Sequence, residues 1–260
     1  MRILCLANNW TGWKILHWLK EQGETVVGIV VHPTDARKYG GEIIEAAGID
    51  PSCVFDASHL RQTETMEAIR RLRPDLGISG FFGYILRREF LELFAAGCVN
   101  VHPSLLPYNR GVGTNIWSIV DGTPAGVTIH YMDAGIDTGD VIAQREVSTG
   151  PTDTGQTLYR RLEHASVDLF TETWPLIRSG RASRIPQDNG VGTYHSAGDC
   201  DRISEIDLDQ RCTARELINV MRALTFPPYP AAYFWSGGQK VYVRLQLYRE
   251  EEVACGGSLE

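Results

Sequence analysis

Apolar and polar positions alternate along the N-terminal part of the chain in blocks that predict strands and helices in turn. Apolar runs predict strands at 2–7, 26–31, 54–55, 76–80 and 98–102, and helical spacing predicts helices at 12–22, 41–47, 64–72 and 87–94. The run at 26–31 is apolar throughout, as expected of a parallel strand covered on both faces. Strands that alternate with helices indicate right-handed βαβ units. The pattern therefore predicts an α/β fold with a Rossmann-like, mostly parallel sheet and helices on both faces.

The second half of the chain adds a different kind of segment. A helix is predicted at 113–121, strands at 126–132 and 141–146, and a long amphipathic helix at 154–179. Residues 181–200 are rich in Gly, Ser, Asp, Asn and Arg, and we interpret them as a linker. Thr213, followed three residues later by Glu216, predicts a capped helix, and alternating runs around Gly237 and Gly238 predict a β-hairpin. We therefore expect a main domain at 1–180, a linker at 181–200 and a small C-terminal helix and β-hairpin appendage at 201–258.

Composition narrows the class of protein. Hydrophobic residues make up 43% of the chain and charged residues 22%, which is typical of a globular domain. The net charge of −7 argues against a nucleic-acid partner, because such proteins present a clustered basic face. No apolar run reaches membrane-spanning length, and the chain opens on a strand pattern rather than a secretory signal, so we expect a cytoplasmic protein with no membrane partner. The six cysteines are scattered without a CxxC pair and are predicted to be free thiols.

Polar side chains collect where the fifth predicted strand ends. Asn100 and His102 share strand parity, so their side chains are expected on the same side of the sheet. In open α/β sheets, ligands bind beyond the carboxyl ends of the strands. Asp137 follows in a turn that reads Asp-Ala-Gly-Ile-Asp-Thr-Gly. An amide, an imidazole and a carboxylate suit acyl transfer to an amine, because they can polarise a carbonyl, handle a proton and orient the imidazole.

Each of these residues also has a plainer interpretation. Asn100 and His102 could form a buried pair that satisfies nearby backbone groups. Asp137 could be only a turn former, since Asp and Gly are both common in turns. Spacing alone leaves Asp133 and Asp140 as equal candidates for the carboxylate.

Further candidates accompany this set. His130 either lines the site or is a packed histidine, and His102, His130 and Asp137 together lack a zinc-type spacing, so no metal site is predicted. Arg110, with Asn109 beside it, is a candidate for a bidentate phosphate contact, against the alternative of a solvated surface arginine.

The turn between the first strand and the first helix is another candidate anion site. It contains Asn9 and Trp10, and backbone N–H groups in such a turn can meet an anion. It lacks a GxGxxG sequence, so a dinucleotide fingerprint is absent.

The motifs taken together resemble one family. The order Asn-x-His-Pro-Ser-Leu-Leu-Pro, Gly-x-Thr-x-His and Asp-x-Gly-x-Asp-Thr-Gly, over residues 75–147, is similar to that of the folate-dependent formyltransferases. The resemblance implies that Asn100, His102 and Asp137 are catalytic, with Asp137 chosen because it precedes the Thr-Gly pair. It also implies N10-formyltetrahydrofolate as co-substrate.

The same resemblance implies where the donor binds. Residues 79–86 look like the family's pteridine-binding loop, and 133–137 would form the opposite wall. The implied contacts are Phe81, Phe82, Tyr84, Ile85, Leu86, Asp133 and Gly135. Phe81 and Phe82 could equally be ordinary core residues.

Three branches of the family compete for the acceptor. Glycinamide ribonucleotide enzymes would end before the appendage, and methionyl-tRNA enzymes carry a larger, basic C-terminal barrel. Residues 107–117, 192–195, 206–209 and 216–222 are similar to the nucleotide-sugar N-formyltransferases. That similarity implies a nucleotide-linked amino sugar, with a TDP-4-amino-4,6-dideoxyhexose for bacterial lipopolysaccharide O-antigen as the expected acceptor, and adds Tyr194, His195 and Arg222 as substrate contacts.

Two alternatives for the function stay open at this point. The enzyme could formylate another acceptor, namely a GDP-perosamine-type sugar, methionyl-tRNA or glycinamide ribonucleotide. The protein could also be a non-catalytic folate or nucleotide binder. The C-terminal helix and hairpin are also expected to pair two copies of the chain into a homodimer.

Overall fold

The computed structural model describes residues 1–188 and 190–254. The strands are β1 (Arg2–Ala7), β2 (Thr25–Val31), β3 (Val54–Asp56), β4 (Leu76–Gly80), β5 (Cys98–His102), β6 (Arg110–Gly111), β7 (Gly126–Tyr131), β8 (Val141–Glu146), β9 (Tyr194–His195), β10 (Ala232–Ser236) and β11 (Gln239–Val243). A seven-stranded sheet has the order β3-β2-β1-β4-β5-β7-β8. The first five of these strands pair in parallel, whereas β7 and β8 are antiparallel. The predicted α/β fold with a mostly parallel sheet is confirmed.

Helices pack on both faces of this sheet, and further helices belong to the C-terminal region. They are α1 (Asn9–Glu21), α2 (Gly40–Ala47), α3 (Thr63–Arg71), α4 (Arg88–Leu91), α5 (Thr114–Val120), α6 (Gly155–Arg178), α7 (Ala197–Ser204), α8 (Ala214–Ala223) and α9 (Glu250–Ala254). Alternate residues of β1 belong to different cores: Ile3 packs in the cluster with α1, α2 and α6, and Leu4 packs in the cluster with α3 and α4. This alternation follows from the two-residue period of a strand.

The start of α1 lies against the ends of two central strands. The helix begins at Asn9, three residues before the position that the apolar spacing predicted. A Cβ atom on Gly12 would lie 2.9 Å from the carbonyl oxygen of Gly80 and 3.1 Å from Ala7. Only glycine permits this close approach, which brings the first turn of α1 beside the carboxyl ends of β1 and β4.

The segment expected to be a linker forms structure against the main domain. Val141 and Ile185 exchange backbone hydrogen bonds of 2.8 and 3.0 Å, and β9 pairs in parallel with β6. The boundary expected at residue 200 falls inside α7. Composition did not reveal this pairing, because backbone hydrogen bonds form whatever side chains a polar segment carries.

The C-terminal elements follow the predicted order. Helix α8 begins with the predicted capping box, in which Glu216 N–H donates to the Thr213 hydroxyl and the Glu216 carboxylate accepts from Thr213 N–H. Strands β10 and β11 form an antiparallel hairpin around Gly237 and Gly238. Residues 255–258 of the expected appendage, including Cys255, lie outside the described residues. The five cysteines that are described form no disulfide with one another.

In the described parts of the chain, no helix is long and apolar enough to cross a bilayer.

Candidate active site

A cavity of about 390 Å³ opens at the carboxyl ends of β4 and β5, where the strand pattern predicted a ligand site. Its walls come from the loop after β4, the end of β5, the turn 133–137 and residues 194–197. Of the predicted site residues, the cavity brings together Asn9, Phe81, Phe82, Tyr84, Ile85, Leu86, Asn100, His102, His130, Asp133, Gly135, Asp137, Tyr194 and His195. The structure does not bring four others to this lining: Trp10, Asn109, Arg110 and Arg222.

Strand pairing places the amide and both imidazoles on one face. The register of β5 against β7 sets Asn100 opposite His130 and His102 opposite Thr128. Asn100 Nδ2 lies 3.2 Å from His130 Nε2, and both side chains are buried. The shared parity of Asn100 and His102 therefore turns both side chains into the cavity, as the alternation predicted.

The turn that carries Asp137 is held by the surrounding backbone. Asp137 has a φ of 53°, a left-handed conformation that aspartate tolerates better than most residues. Gly111 N–H donates to its Oδ2 at 2.9 Å. The side-chain amide of Gln187 donates to the carbonyls of Asp137 and Gly139 at 2.9 and 2.7 Å. These bonds fix the carboxylate at the inner edge of the cavity.

The other two candidate carboxylates have different surroundings. Asp133 Oδ1 closes the turn by accepting from Gly135 N–H at 3.0 Å and from the Thr138 hydroxyl at 2.7 Å. Asp140 lies near the surface, 3.6 Å from Arg184. Geometry therefore sets Asp137 apart as the carboxylate that faces the two imidazoles.

Asp137 Oδ1 lies 3.6 Å from His102 Nδ1 and 3.6 Å from His130 Nε2. His102 Nε2–H donates to the carbonyl of Asn109 at 3.2 Å, and His130 Nδ1–H donates to the carbonyl of Tyr131 at 2.9 Å. Each carbonyl accepts from one ring nitrogen. In a neutral imidazole the other ring nitrogen, His102 Nδ1 or His130 Nε2, therefore carries a lone pair, and it is this nitrogen that faces Asp137. His102 Nδ1 and the Asp137 carboxylate can therefore receive a proton together, whereas His130 Nε2 accepts from Asn100 Nδ2.

Burial and charge set the protonation of this site. Burial lowers the pKa of His102 below 6.5 by more than Asp137 raises it, so the imidazole is neutral at pH 7. Burial by itself raises the pKa of Asp137. The neighbouring His102 and His130 imidazoles and Gly111 N–H outweigh that effect and hold the Asp137 pKa well below its ordinary value. The site therefore pairs an ionised carboxylate with a neutral imidazole.

We call residues 81–86 the donor loop, because they form the wall expected to hold the donor. Phe82 and Leu86 are almost fully buried and belong to a core cluster, so the alternative of ordinary core residues describes them in part. Ile85 is 67% exposed. The ring of Phe81 contacts that of Tyr159 from α6, with centroids 6.0 Å apart. The donor loop thus combines a fixed apolar base with an exposed rim.

Another part of the cavity wall comes from the segment after α6. The His195 ring stacks on Trp117 with centroids 3.8 Å apart, and its Nε2 lies 2.9 Å from Asp121 Oδ2. Tyr194 is half exposed. Both residues reach the cavity because β9 pairs with β6.

Two predicted substrate residues have structural positions instead. Asn109 is buried, and its side-chain amide donates to the hydroxyls of Ser118 and Thr123 at 3.0 and 2.8 Å. The Trp10 ring packs beside His164, with centroids 4.7 Å apart. Short polar loops gave no signal of which side chains turn inward.

Arg222 also requires a correction. Its guanidinium is buried, donates to the carbonyls of Gly150 and Asp153 at 3.0 and 2.9 Å, and bonds Asn219 Oδ1 at 2.9 Å. These partners lie at the start of α6 and on α8, and none of them lines the cavity. Arg222 therefore joins α8 to the main domain and does not approach the cavity.

We expect Arg222→Met to lower the free energy of unfolding by about 1–3 kcal/mol, because buried carbonyls lose their donor. Denaturant unfolding measures this change. The Michaelis constant for the acceptor should stay at the wild-type value, and a large rise without loss of stability would restore a substrate-binding role.

Sequence reasoning missed several groups that shape the site. The carbonyl of Asn109 sets the His102 tautomer, Gly111 N–H holds Asp137, and Gln187 clamps the turn. The first two are backbone contacts, for which a sequence carries no side-chain signal. Gln187 lies in the supposed linker, and only the fold reveals its role. No group of three His, Cys, Asp or Glu residues placed to hold a metal ion occurs in residues 1–188 and 190–254.

Comparison with known families matches residues 1–173 to the formyl transferase model. The chain belongs to the formyl transferase family. Residues 199–249 of this formyl transferase also match the N-formyltransferase dimerization C-terminal domain. The resemblance seen in the motifs is thus confirmed, and the protein is a formyl-transfer enzyme.

Relatives of this formyl transferase include methionyl-tRNA formyltransferases and formyltransferases of known structure. The methionyl-tRNA formyltransferases of Alkaliphilus oremlandii and Bacillus subtilis are 32% and 34% identical, over 97% and 95% of this chain and 82% and 77% of theirs. A 4-N formyltransferase from Francisella tularensis superposes with a TM-score of 0.81 at 29% identity, over 95% of this chain and 98% of that one. A formyltransferase from Anoxybacillus kamchatkensis, solved with UDP-4,6-dideoxy-4-formamido-L-AltNAc and tetrahydrofolate, superposes with a TM-score of 0.55 at 32% identity, over 78% and 89% of the two chains.

Proposed function

We propose that this enzyme transfers the formyl group of N10-formyltetrahydrofolate to the amine of a nucleotide-linked amino sugar. A TDP-4-amino-4,6-dideoxyhexose is our first candidate acceptor, in the synthesis of a bacterial surface polysaccharide such as an O-antigen. The observation that carries the proposal is that Asn100, His102 and Asp137 line one cavity between the donor loop and residues 194–197.

The donor loop and the turn 133–137 suit a flat reduced pterin. Such a ligand needs apolar walls with a few polar groups at its edge, and the exposed Ile85 side chain and the backbone of the loop provide both. The Anoxybacillus relative was solved with tetrahydrofolate. Bound here, N10-formyltetrahydrofolate would supply the carbon that is transferred.

In this proposal Asn100 stabilises the oxyanion that forms when the amine attacks the formyl carbon. An amide nitrogen carries two hydrogens, and the contact with His130 uses one of them. The second is left for an oxygen in the cavity. A buried donor of this kind acts on developing charge in a water-poor site, where its effect is large.

His102 and Asp137 handle the proton that the amine releases. Nδ1 is the free nitrogen of His102, because Nε2–H is committed to the Asn109 carbonyl. A proton that reaches Nδ1 is held by Asp137 at 3.6 Å and can be returned to the leaving nitrogen. Two bound substrates also gain rate from being held in position.

Several observations favour a nucleotide sugar as acceptor. The Francisella structure matches over nearly all of both chains, and its name describes a 4-N formyltransferase. The Anoxybacillus relative was solved with a UDP-linked formamido sugar. A nucleotide sugar is small enough to enter a cavity whose wall includes residues 194–197.

Methionyl-tRNA is the second candidate acceptor, because curated relatives at 32–34% identity carry that name. The net charge of −7 argues against it, since affinity for tRNA depends on neutralising phosphates with basic residues.

A formyl-transfer assay separates these acceptors. The enzyme is incubated with N10-formyltetrahydrofolate and either a TDP-, UDP- or GDP-linked amino sugar or initiator methionyl-tRNA, and tetrahydrofolate release is followed. We expect release only with a nucleotide sugar, and TDP-4-amino-4,6-dideoxyhexose should give the highest kcat/KM. Formylation of methionyl-tRNA alone would refute the sugar proposal. Folate binding without transfer to any acceptor would favour a non-catalytic binder.

The lowered pKa of His102 predicts the acid limb of the pH profile. Neutral His102 accepts the proton, so kcat/KM should fall as pH drops through the folded-state pKa of His102, which lies below 6.5. Above that pH this group should cause no further change. Steady-state rates from pH 5 to 9, with an acceptor whose amine titration is known, measure the limb. A limb whose midpoint lies above 6.5 would contradict this assignment.

We further propose a cytoplasmic homodimer with a catalytic domain at 1–180 and a small C-terminal region that mediates pairing. The matched C-terminal model is a dimerization domain. The hairpin exposes the aromatic side chains of Trp235 and Tyr242, which suits an interface. Light scattering of the full chain tests the dimer.

A further inference from the structure

A chain of three hydrogen bonds runs from the loop before α2 to the donor loop. Lys38 N–H donates to Asn8 Oδ1 at 2.9 Å, and Asn8 Nδ2 lies 3.2 Å from His32 Nδ1. His32 Nε2 in turn bonds the carbonyl of Phe82. Asn8 is 5% exposed and His32 is partly buried, so the contacts are partly shielded from solvent.

Donor and acceptor roles along this chain are fixed. Asn8 Oδ1 accepts from a backbone N–H, so its Nδ2 must be the atom that faces His32 and donates to Nδ1. His32 is therefore the neutral Nε2–H tautomer and donates to Phe82. With any other assignment of the Asn8 amide or the His32 tautomer, at least one of the three hydrogen bonds would lack a donor or an acceptor.

The His32 ring also supports the donor loop by packing. It meets the rings of Phe82 and Tyr84 edge-on, with centroids 5.2 and 4.9 Å apart. Phe81, at the start of the loop, has a φ of 50°, which costs free energy for a bulky residue and persists only where neighbours enforce it. The next peptide carbonyl along the chain is the one that His32 holds.

We propose that His32 is a positioning residue that holds the donor loop in the shape that binds the reduced pterin. This inference rests on the proposed function for the identity of the ligand. His32 does not line the cavity, so it acts through the loop and not on the reacting atoms.

Protonation of His32 should weaken this support. A proton on Nδ1 would face the Asn8 amide donor, and burial already lowers the pKa of His32 below 6.5. The charged or titratable groups around it are Asp56 at the end of β3, Arg37 and Lys38 on the loop between β2 and α2, and Tyr84 on the donor loop. Arg37 Nε donates to the His32 carbonyl at 2.9 Å.

Two isosteric substitutions test the hydrogen bond. A glutamine amide reaches the position of histidine Nε2, whereas an asparagine amide reaches only that of Nδ1. We expect His32→Asn to raise the Kd for tetrahydrofolate and the KM for the donor about 3- to 10-fold, the cost of one lost hydrogen bond. His32→Gln should show a clearly smaller rise, because it keeps the bond to the Phe82 carbonyl and loses only the ring contacts and the Asn8 bond. The acceptor KM should not change in either variant. His17→Asn, an exposed histidine on α1, is the matched control and should have no effect.

Titration calorimetry with tetrahydrofolate, steady-state kinetics and thermal unfolding give the readouts. Tetrahydrofolate affinity of the wild type should fall as His32 is protonated at acid pH, and this fall should disappear in His32→Gln. Equal affinities in wild type and His32→Asn would overturn the positioning role, as would equal losses in both variants. Failure of the wild type itself to bind tetrahydrofolate would instead refute the proposed function and this inference with it.

Discussion

Replacement of Asp137 by asparagine will lower kcat by about 10²–10⁴-fold, because the imidazolium that forms when His102 accepts the proton of the amine loses its stabilising carboxylate. The backbone should be undisturbed. Asparagine also tolerates the left-handed conformation at φ 53°, and its amide oxygen can still accept from Gly111 N–H. Affinity for tetrahydrofolate should therefore stay near the wild-type value. Single-turnover formyl transfer and titration calorimetry measure the two quantities.

Asp140→Asn is the matched control for this experiment. Asp140 lies in the same turn but at the surface, where its partner is Arg184 at 3.6 Å. An exposed ion pair contributes little, so turnover should be nearly unchanged. If both substitutions reduced kcat equally, or neither did, the role of Asp137 would be wrong.

Asn100→Ala should lower kcat by about 10²–10³-fold through loss of one oxyanion donor. The KM values for donor and acceptor should hardly change, because the interaction is made mainly in the transition state. Asn100→Asp keeps the size of the side chain but puts negative charge beside the developing oxyanion, so its loss should be at least as large.

Thermal unfolding of both Asn100 variants separates catalysis from folding. Asn100 Nδ2 also donates to His130 Nε2, so a small loss of stability is expected. A rise in donor KM with unchanged kcat would identify Asn100 as a binding residue instead.

The strands of the main sheet could be predicted because buried strands are mostly apolar, as the uninterrupted run of β2 shows. The same pattern located the site, because the cavity lies at the carboxyl ends of the parallel strands β4 and β5. Among the three aspartates of the turn, spacing could not choose. Only the Thr-Gly context, and then the 3.6 Å approach of Asp137 to both imidazoles, distinguished one.

Other parts of the site were beyond reach of the sequence. The tautomer of His102 depends on a backbone carbonyl of Asn109, whose side chain had seemed the relevant group. The similarity to the sugar enzymes implied Arg222 as a substrate contact, yet its guanidinium donates to carbonyls near α6. Tertiary packing decides whether a polar side chain points into a cavity or into a contact between structural elements, and no local sequence pattern encodes that packing.

The pairing of β6 with β9 has a consequence for how such enzymes diverge. In the proposed mechanism the proton is handled by groups on β5 and on the turn after β7, whereas β9, from a distant part of the sequence, forms part of the cavity wall. A substitution at the half-exposed Tyr194, which makes no contact with Asp137, can therefore alter which amine is admitted without moving a reacting group. Selectivity and reactivity are therefore free to evolve on separate segments of one gene.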